Sequence, residues 1–160
     1  GDRRTGELAA VLAQVVESVV MLELLARSEV CVCVSVVQDD GGALPAAINA
    51  AVLALAEAGV PMRALVAACA AGTLEGEPAL DLNRTEEAAA GRGLAAAVSS
   101  HDGRVLALHS EEECSVETLG DLMRSASSGC DAVSAFMRGE LEARVARQAE
   151  RLGVATTTPS

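Results

Sequence analysis

Two glycines between an acidic pair and a long Ala/Leu run are the residues best placed to do chemistry in this chain. They lie in Asp39-Asp40-Gly41-Gly42-Ala43-Leu44-Pro45-Ala46-Ala47-Ile48-Asn49-Ala50. A Val-rich run stops at Val37, the glycines turn the backbone, and a helix begins. Pro45 suits its first turn, where the missing N–H leaves nothing unpaired. A strand, a Gly turn and a helix N-terminus together can hold an anion, because free amides and the positive end of the helix dipole face outward.

Other reactive residue types lack such company. Arg3 and Arg4 stand in the first turn of an N-terminal helix, where cations oppose the dipole. They read either as contacts to phosphates or as a solvated terminus, and the residues alone favour the second. Cys31 and Cys33 share a face of an alternating run. No third or fourth ligand lies at a zinc spacing, so they read as core cysteines and no metal is expected. His101 and His109 flank a hairpin with no nucleophile partner, and Ser115 reads as a helix cap with no base beside it.

The elements that must position these residues are legible from periodicity. Leu8, Val11, Leu12, Val15, Val16 and Val19 make one apolar stripe, predicting a helix over 1–25. Residues 29–37 alternate with both faces small and mostly apolar, predicting a buried strand. A helix over 44–58 follows and stops at Gly59, with Pro61 beyond. It is apolar on nearly all sides, so Asn49 within it needs a polar partner. Strands are expected at 62–72 and 78–83, and a hairpin at 94–99 and 104–109 turns at His101-Asp102-Gly103. Between them, 81–87 and the Ala/Gly stretch after it read as loop. Ser115 caps a last helix running to about 152, which Gly129 is expected to loosen midway. Residues 1–153 then form one α+β domain, a mostly antiparallel sheet with packed helices, and 154–160 a flexible tail.

Composition narrows the function classes. Of 160 residues, 51% are hydrophobic, which gives ample material for a core. Phe136 is the only aromatic residue, so stacking of bases on aromatic side chains is not available. The net charge of −11 argues against a broad nucleic-acid surface, though it leaves room for a small Arg patch. No apolar run reaches membrane length, and five cysteines without a C-x-x-C pair fit a reducing compartment.

Five segments then become recognisable in order. They are Val36-Val37-Gln38-Asp39-Asp40-Gly41-Gly42, Ala47-Ile48-Asn49-Ala50-Ala51, Ala58-Gly59-Val60-Pro61-Met62-Arg63, Cys69-Ala70-Ala71-Gly72 and Asp81-Leu82-Asn83-Arg84-Thr85-Glu86-Glu87. Together they resemble the RNase PH superfamily. They are most similar to its RNA exosome ring subunits of the ribosomal RNA processing protein 41 type, with the processing protein 46 type as runner-up. The resemblance implies a two-layer sandwich of ribosomal-protein-like β-α units, assembled in six-membered rings around an RNA channel. It also implies that N-terminal strands of the family are missing from this chain.

The same resemblance implies a chemistry. Family enzymes degrade RNA from its 3′ end with phosphate as the attacking group, which needs a gripped phosphate and a proton donor. Active members follow the Gly-Gly turn with Thr-Arg, whereas here Ala43 and Leu44 stand there, so Gly41, Gly42 and Ala43 form a vestigial phosphate-binding loop. Asp81 matches the first of two family acids, and Glu87 the second, where active members usually carry Asp. The extra methylene displaces the carboxylate by about 1 Å, a scale that can cost about a hundredfold. Asp81 and Glu87 read either as a degenerate catalytic pair or as loop residues paired with Arg84 or a neighbouring subunit. Arg3 and Arg4 match family arginines that contact RNA.

The expectation is therefore a structural, catalytically inactive exosome ring subunit supporting 3′-to-5′ RNA processing, rRNA included. It would work in nucleus and nucleolus and also in cytoplasm. Its partners would be homologous RNase PH-type subunits, RNA-binding cap subunits and RNA, with no membrane and no cofactor. The alternative is an active phosphate-dependent 3′-to-5′ exoribonuclease, with phosphate as co-substrate.

Overall fold

The computed structural model describes residues 3–90, 93–110 and 113–153. The first helix, α1, runs Arg3–Val19. Its stripe is real: Val15 and Val19 are buried, and Leu8, Val11 and Leu12 pack against the same cluster. It stops short of the expected end because the chain finds other partners. The Val19 carbonyl accepts from the Arg63 amide at 2.8 Å, the Met21 amide donates to the Pro61 carbonyl at 2.9 Å, and Val20 bridges Met62. Leu22–Leu24 adds one 3₁₀ turn.

The expected strand over 29–37 is not formed. The segment is extended but joins no sheet, and Val37 is 98% exposed. Its alternation nevertheless survives: Val30, Val32, Val34 and Val36 line a groove of about 630 Å³ beside Leu8, Leu12 and Val16 of α1. Period 2 fixes which side chains share a face, but a strand needs a neighbour to pair with, and none of the described strands lies alongside. Cys31 and Cys33, on the opposite face, are exposed rather than core residues.

The second helix, α2, spans Ala43–Glu57 and buries Leu44, Pro45, Ile48, Ala51, Val52 and Leu55. Four strands follow: β1 Val66–Leu74, β2 Glu77–Leu80, β3 Gly93–Ser99 and β4 Val105–Ser110. They form one antiparallel sheet in the order β2-β1-β3-β4. The Asp81–Glu87 stretch, expected as loop, contains a short helix, α3, at Arg84–Ala90. Asn83 caps it: its side-chain oxygen accepts from the amides of Thr85 and Glu86 while the Glu86 carboxylate accepts from the Asn83 amide, which is a capping box.

Asn49 finds its partner on the sheet. Its side chain donates to the Ala68 carbonyl at 2.9 Å and accepts from the Ala68 amide at 2.7 Å. β2 pairs with β1 only from Ala71 onward, so Asn49 supplies the bonds that a strand would have made at Ala68. The last helix, α4, runs Val116–Leu152, with the Ser115 hydroxyl accepting from the Thr118 amide as expected of a cap. Gly129 does not loosen it. It marks a close approach of α4 to β1, where a β-carbon would stand 2.5 Å from the Cys69 Sγ. Small residues on β1 and β3 serve the same end, since Ala71 and Ala96 share a buried cluster with Leu94 of β3 and with Leu122 and Ala126 of α4. The main core joins α1, α2, the sheet and α4 through Val15, Ile48, Val52, Val66, Ala97, Cys130 and Met137. Each large side chain fully buried there contributes about 1.5–3 kcal/mol. The α+β sandwich expected from the sequence is thus the observed fold. The expected tail lies outside the described residues.

Candidate functional site

The Gly-Gly turn is built by two left-handed residues. Gly41 has φ 101° and Gly42 φ 61°, and Gly42 is the N-cap of α2. At Gly41 only glycine fits, because a β-carbon would lie 2.5 Å from the Leu82 carbonyl oxygen. The turn is therefore pressed against the segment between β2 and α3. The Arg84 amide closes that junction by donating to the Asp40 carbonyl at 2.8 Å, and the Gly41 amide donates to the Asp39 carboxylate at 3.2 Å.

This junction brings together residues forty apart in sequence. The Gly42 amide donates to the Glu87 carboxylate at 2.9 Å. The Asp81 Oδ1 lies 3.6 Å from where a Gly42 β-carbon would stand. Asp81 itself takes a left-handed φ of 54°, and its amide donates to the Ala70 carbonyl at 3.1 Å. The Asp81 carboxylate also adds to burial in pushing the Cys69 thiol up. Gly41, Gly42, Asp81 and Glu87 thus share one site, as their matches to the family pattern imply. Glu87 binds the Gly42 amide, a partner that neither the catalytic-pair reading nor the reading with Arg84 or a neighbouring subunit specified.

What fills the site is negative charge. Glu87 sits on the helix N-terminus, where a carboxylate satisfies a free amide and the dipole together. The Asp39 carboxylate, the Asp40 carbonyl and the Asp81 carboxylate lie at the same junction. The positions after the glycines offer no replacement side-chain donors. Ala43 has no polar side chain, and Leu44 is buried in the main core. Arg3 and Arg4 contribute the backbone of the first turn of α1, and their side chains lie outside the described residues. Among the described residues no group of three or more His, Cys, Asp or Glu side chains is arranged to hold a metal ion. No described helix is long and apolar enough to cross a membrane.

The sequence reading missed α3, which fixes where Glu87 points. The signal was present as Asn83-Arg84-Thr85-Glu86, a capping box spaced to start a helix. With that helix in place, Glu87 falls in its first turn and faces back toward the α2 N-terminus.

The chain is similar to known proteins in sequence and in fold. The sequence model of the 3′ exoribonuclease family, domain 1 (RNase_PH) matches residues 1–61. The chain is 38% identical over 141 residues to the exosome complex component RRP41 homolog of Arabidopsis thaliana, covering 88% of this chain and 58% of that protein. It spans little more than half the length of the curated relatives it matches. Among solved structures, rice (Oryza sativa) Rrp46 superposes with a TM-score of 0.81 at 27% identity, over 88% of this chain and 67% of that one. The Archaeoglobus fulgidus exosome with RNA bound to the active site shares the fold, with a TM-score of 0.64 at 16% identity over 84% of this chain and 61% of that one.

Proposed function

We propose, for a chain that belongs to the RNase PH family, the role of a ring subunit in an RNA exosome whose own catalytic cradle is closed. The observation that carries this reading is the hydrogen bond from the Gly42 amide to the Glu87 carboxylate. Phosphorolysis needs an inorganic phosphate held in line with the scissile bond and its charge neutralised. In this chain the amide that would meet phosphate already serves a carboxylate. The Thr hydroxyl and Arg fork of the active pattern are replaced by Ala43 and the buried Leu44. Losing a bidentate charged contact costs about 2–5 kcal/mol, and the acidic neighbours repel what remains.

The role left to the subunit is architectural. It pairs with a homologous RNase PH-type subunit within a six-membered ring, supports RNA-binding cap subunits, and lines part of a channel through which RNA reaches a separate nuclease. Arg3 and Arg4 are its proposed RNA contacts. rRNA processing in nucleus and nucleolus, with RNA turnover in the cytoplasm, belongs to the same proposal.

A second reading is favoured by one observation. Asp81 remains beside Gly42, where a proton donor would be needed in an active enzyme. On that reading the chain is a phosphate-dependent 3′-to-5′ exoribonuclease, and Asp81 and Glu87 are its acids. The architectural role is tested by affinity purification of the tagged protein from cells, followed by identification of what comes with it. Stoichiometric recovery of a homologous RNase PH-type subunit is expected. Recovery of the chain as a stand-alone monomer or homodimer would contradict it.

A further inference from the structure

We propose that Asn49 is the positioning residue of the candidate site: it sets the register of α2 on β1 and so holds the Gly42 amide against the Glu87 carboxylate. The inference rests on the reading of that contact as what closes the cradle. Within α2, only Asn49 and Glu57 carry side chains able to hydrogen-bond. The helix packs otherwise through apolar residues such as Leu44, Ile48, Val52 and Leu55. Apolar contact is non-directional, so it keeps α2 on the sheet without fixing where along it. A slip of one residue moves a helix about 1.5 Å along its axis and turns it by about 100°. Such a slip is enough to break the 2.9 Å bond at its N-terminus.

Asn49 supplies the direction that apolar packing lacks. Its amide group meets one residue at both ends, donating to the Ala68 carbonyl and accepting from the Ala68 amide. Ala68 is buried, so both backbone groups depend on this partner. Two bonds to one residue fix the height and the rotation of the helix against β1 together. Glu57 ties the other end, accepting from the Arg144 Nε at 3.0 Å, but that contact is exposed and reaches α4 rather than the sheet. The second half of the site is referred to the same strand. Two residues beyond Ala68, the Ala70 carbonyl accepts from the Asp81 amide at 3.1 Å. From Asp81 the chain passes through Asn83 into α3, which carries Glu87. Gly42 and Asn49 are seven residues apart, about two helical turns, so they lie on one face of α2. The glycine turn and the Glu87 segment are thus anchored to β1 two residues from each other, and Asn49 is the anchor on the α2 side.

The test is nuclear magnetic resonance of the nitrogen-labelled full chain, read at the Gly42 amide proton. In the unaltered protein Glu87→Ala should move that resonance, because its carboxylate acceptor is lost. In Asn49→Ala the resonance should already be displaced, and adding Glu87→Ala should move it no further. Asn49→Asp keeps an acceptor for the Ala68 amide, so it should retain part of the Glu87 dependence and serves if Asn49→Ala does not fold. Ile48→Val controls for stability alone. That side chain is buried on the same helix, so the variant is destabilised but should keep the full Glu87 dependence. If Glu87→Ala moves Gly42 as far in the Asn49 variants as in the unaltered protein, the inference is overturned and the closed cradle stands. Loss of the dependence in Ile48→Val would overturn it as well, since any loosening of α2 would then suffice. A Gly42 resonance that ignores Glu87→Ala in the unaltered protein would remove the closed cradle itself, and this inference with it.

Discussion

The Glu87 carboxylate accepts a hydrogen bond from the Gly42 amide at 2.9 Å, across forty-five residues of sequence. The contact joins the two halves of the candidate site, the glycine turn before α2 and the start of α3. It also sets a carboxylate of the chain itself at the N-terminus of α2.

Removing that contact should cost stability. A carboxylate at a helix N-terminus contributes about 0.3–1 kcal/mol when exposed, and Glu87 is exposed. Glu87→Ala should lower the free energy of unfolding by about 1 kcal/mol, and Glu87→Gln by about half as much, since the amide oxygen can still accept. Urea denaturation followed by circular dichroism measures both. Equal midpoints for all three proteins would show that the contact contributes nothing.

The two glycines of the turn should respond very differently to substitution. Gly41→Ala adds left-handed strain of about 1–2 kcal/mol and drives a methyl into the Leu82 carbonyl, 2.5 Å away. Overpacking of that kind costs about 1–3 kcal/mol more. Gly42→Ala meets only ordinary contact with Asp81, at 3.6 Å, and should show the strain alone. Paired urea curves check the order. A Gly42 variant as unstable as the Gly41 variant would contradict the geometry of the junction.

Much of this arrangement was legible in the sequence, and the exceptions have physical causes. Ser115 as a cap, the start of α2 after Gly42 and the hairpin around Asp102-Gly103 are local signals, and each was met in the structure. Asn49 was recognisable as needing a partner, but its match with Ala68 depends on how far β2 extends. The face pattern of Val30 to Val36 was readable, whereas sheet membership depends on a neighbour that alternation does not specify. Gly129 looked like a weak point because helix propensity is a local quantity. Its use is tertiary, since it lets α4 approach Cys69. The family pattern named Asp81 and Glu87 but not the Glu87–Gly42 bond, which only the folded chain creates.

That close approach of α4 gives a further expectation. Gly129→Ala should destabilise by about 1–3 kcal/mol, because the new methyl meets the Cys69 Sγ at 2.5 Å and its Cβ at 3.2 Å. Cys69→Ala removes the nearer of these atoms. The double variant should therefore be more stable than the sum of the single effects predicts, with a coupling of about 0.5–3 kcal/mol. Strict additivity in a double-mutant cycle would show that the helix does not rest on Cys69.

Alkaline pH offers a test of the buried thiols. Burial, with Cys69 beside it, pushes the Cys130 thiol from its ordinary 9.0 up to about 12, and Cys69 is shifted upward too. A thiol whose pKa is raised on folding favours the folded state fully below its unfolded pKa. That contribution is lost as pH rises from about 9 toward 12. The chain has neither Lys nor Tyr, so cysteines dominate side-chain titration in this window. Denaturation midpoints should be flat from pH 7 to about 8.5 and then fall, and Cys130→Ala should shallow the fall. A midpoint independent of pH up to 11 would contradict the burial of these thiols.

The central claim is that the cradle is closed to phosphate, and a phosphorolysis assay tests it most directly. The protein, alone and assembled with a homologous ring subunit, is incubated with single-stranded RNA and inorganic phosphate, and nucleoside diphosphates are measured. An assembly carrying Asp81→Ala is run beside it. The account predicts no release attributable to this chain, with the same result for the two assemblies. Phosphate-dependent release of nucleoside diphosphates that disappears on Asp81→Ala would contradict it.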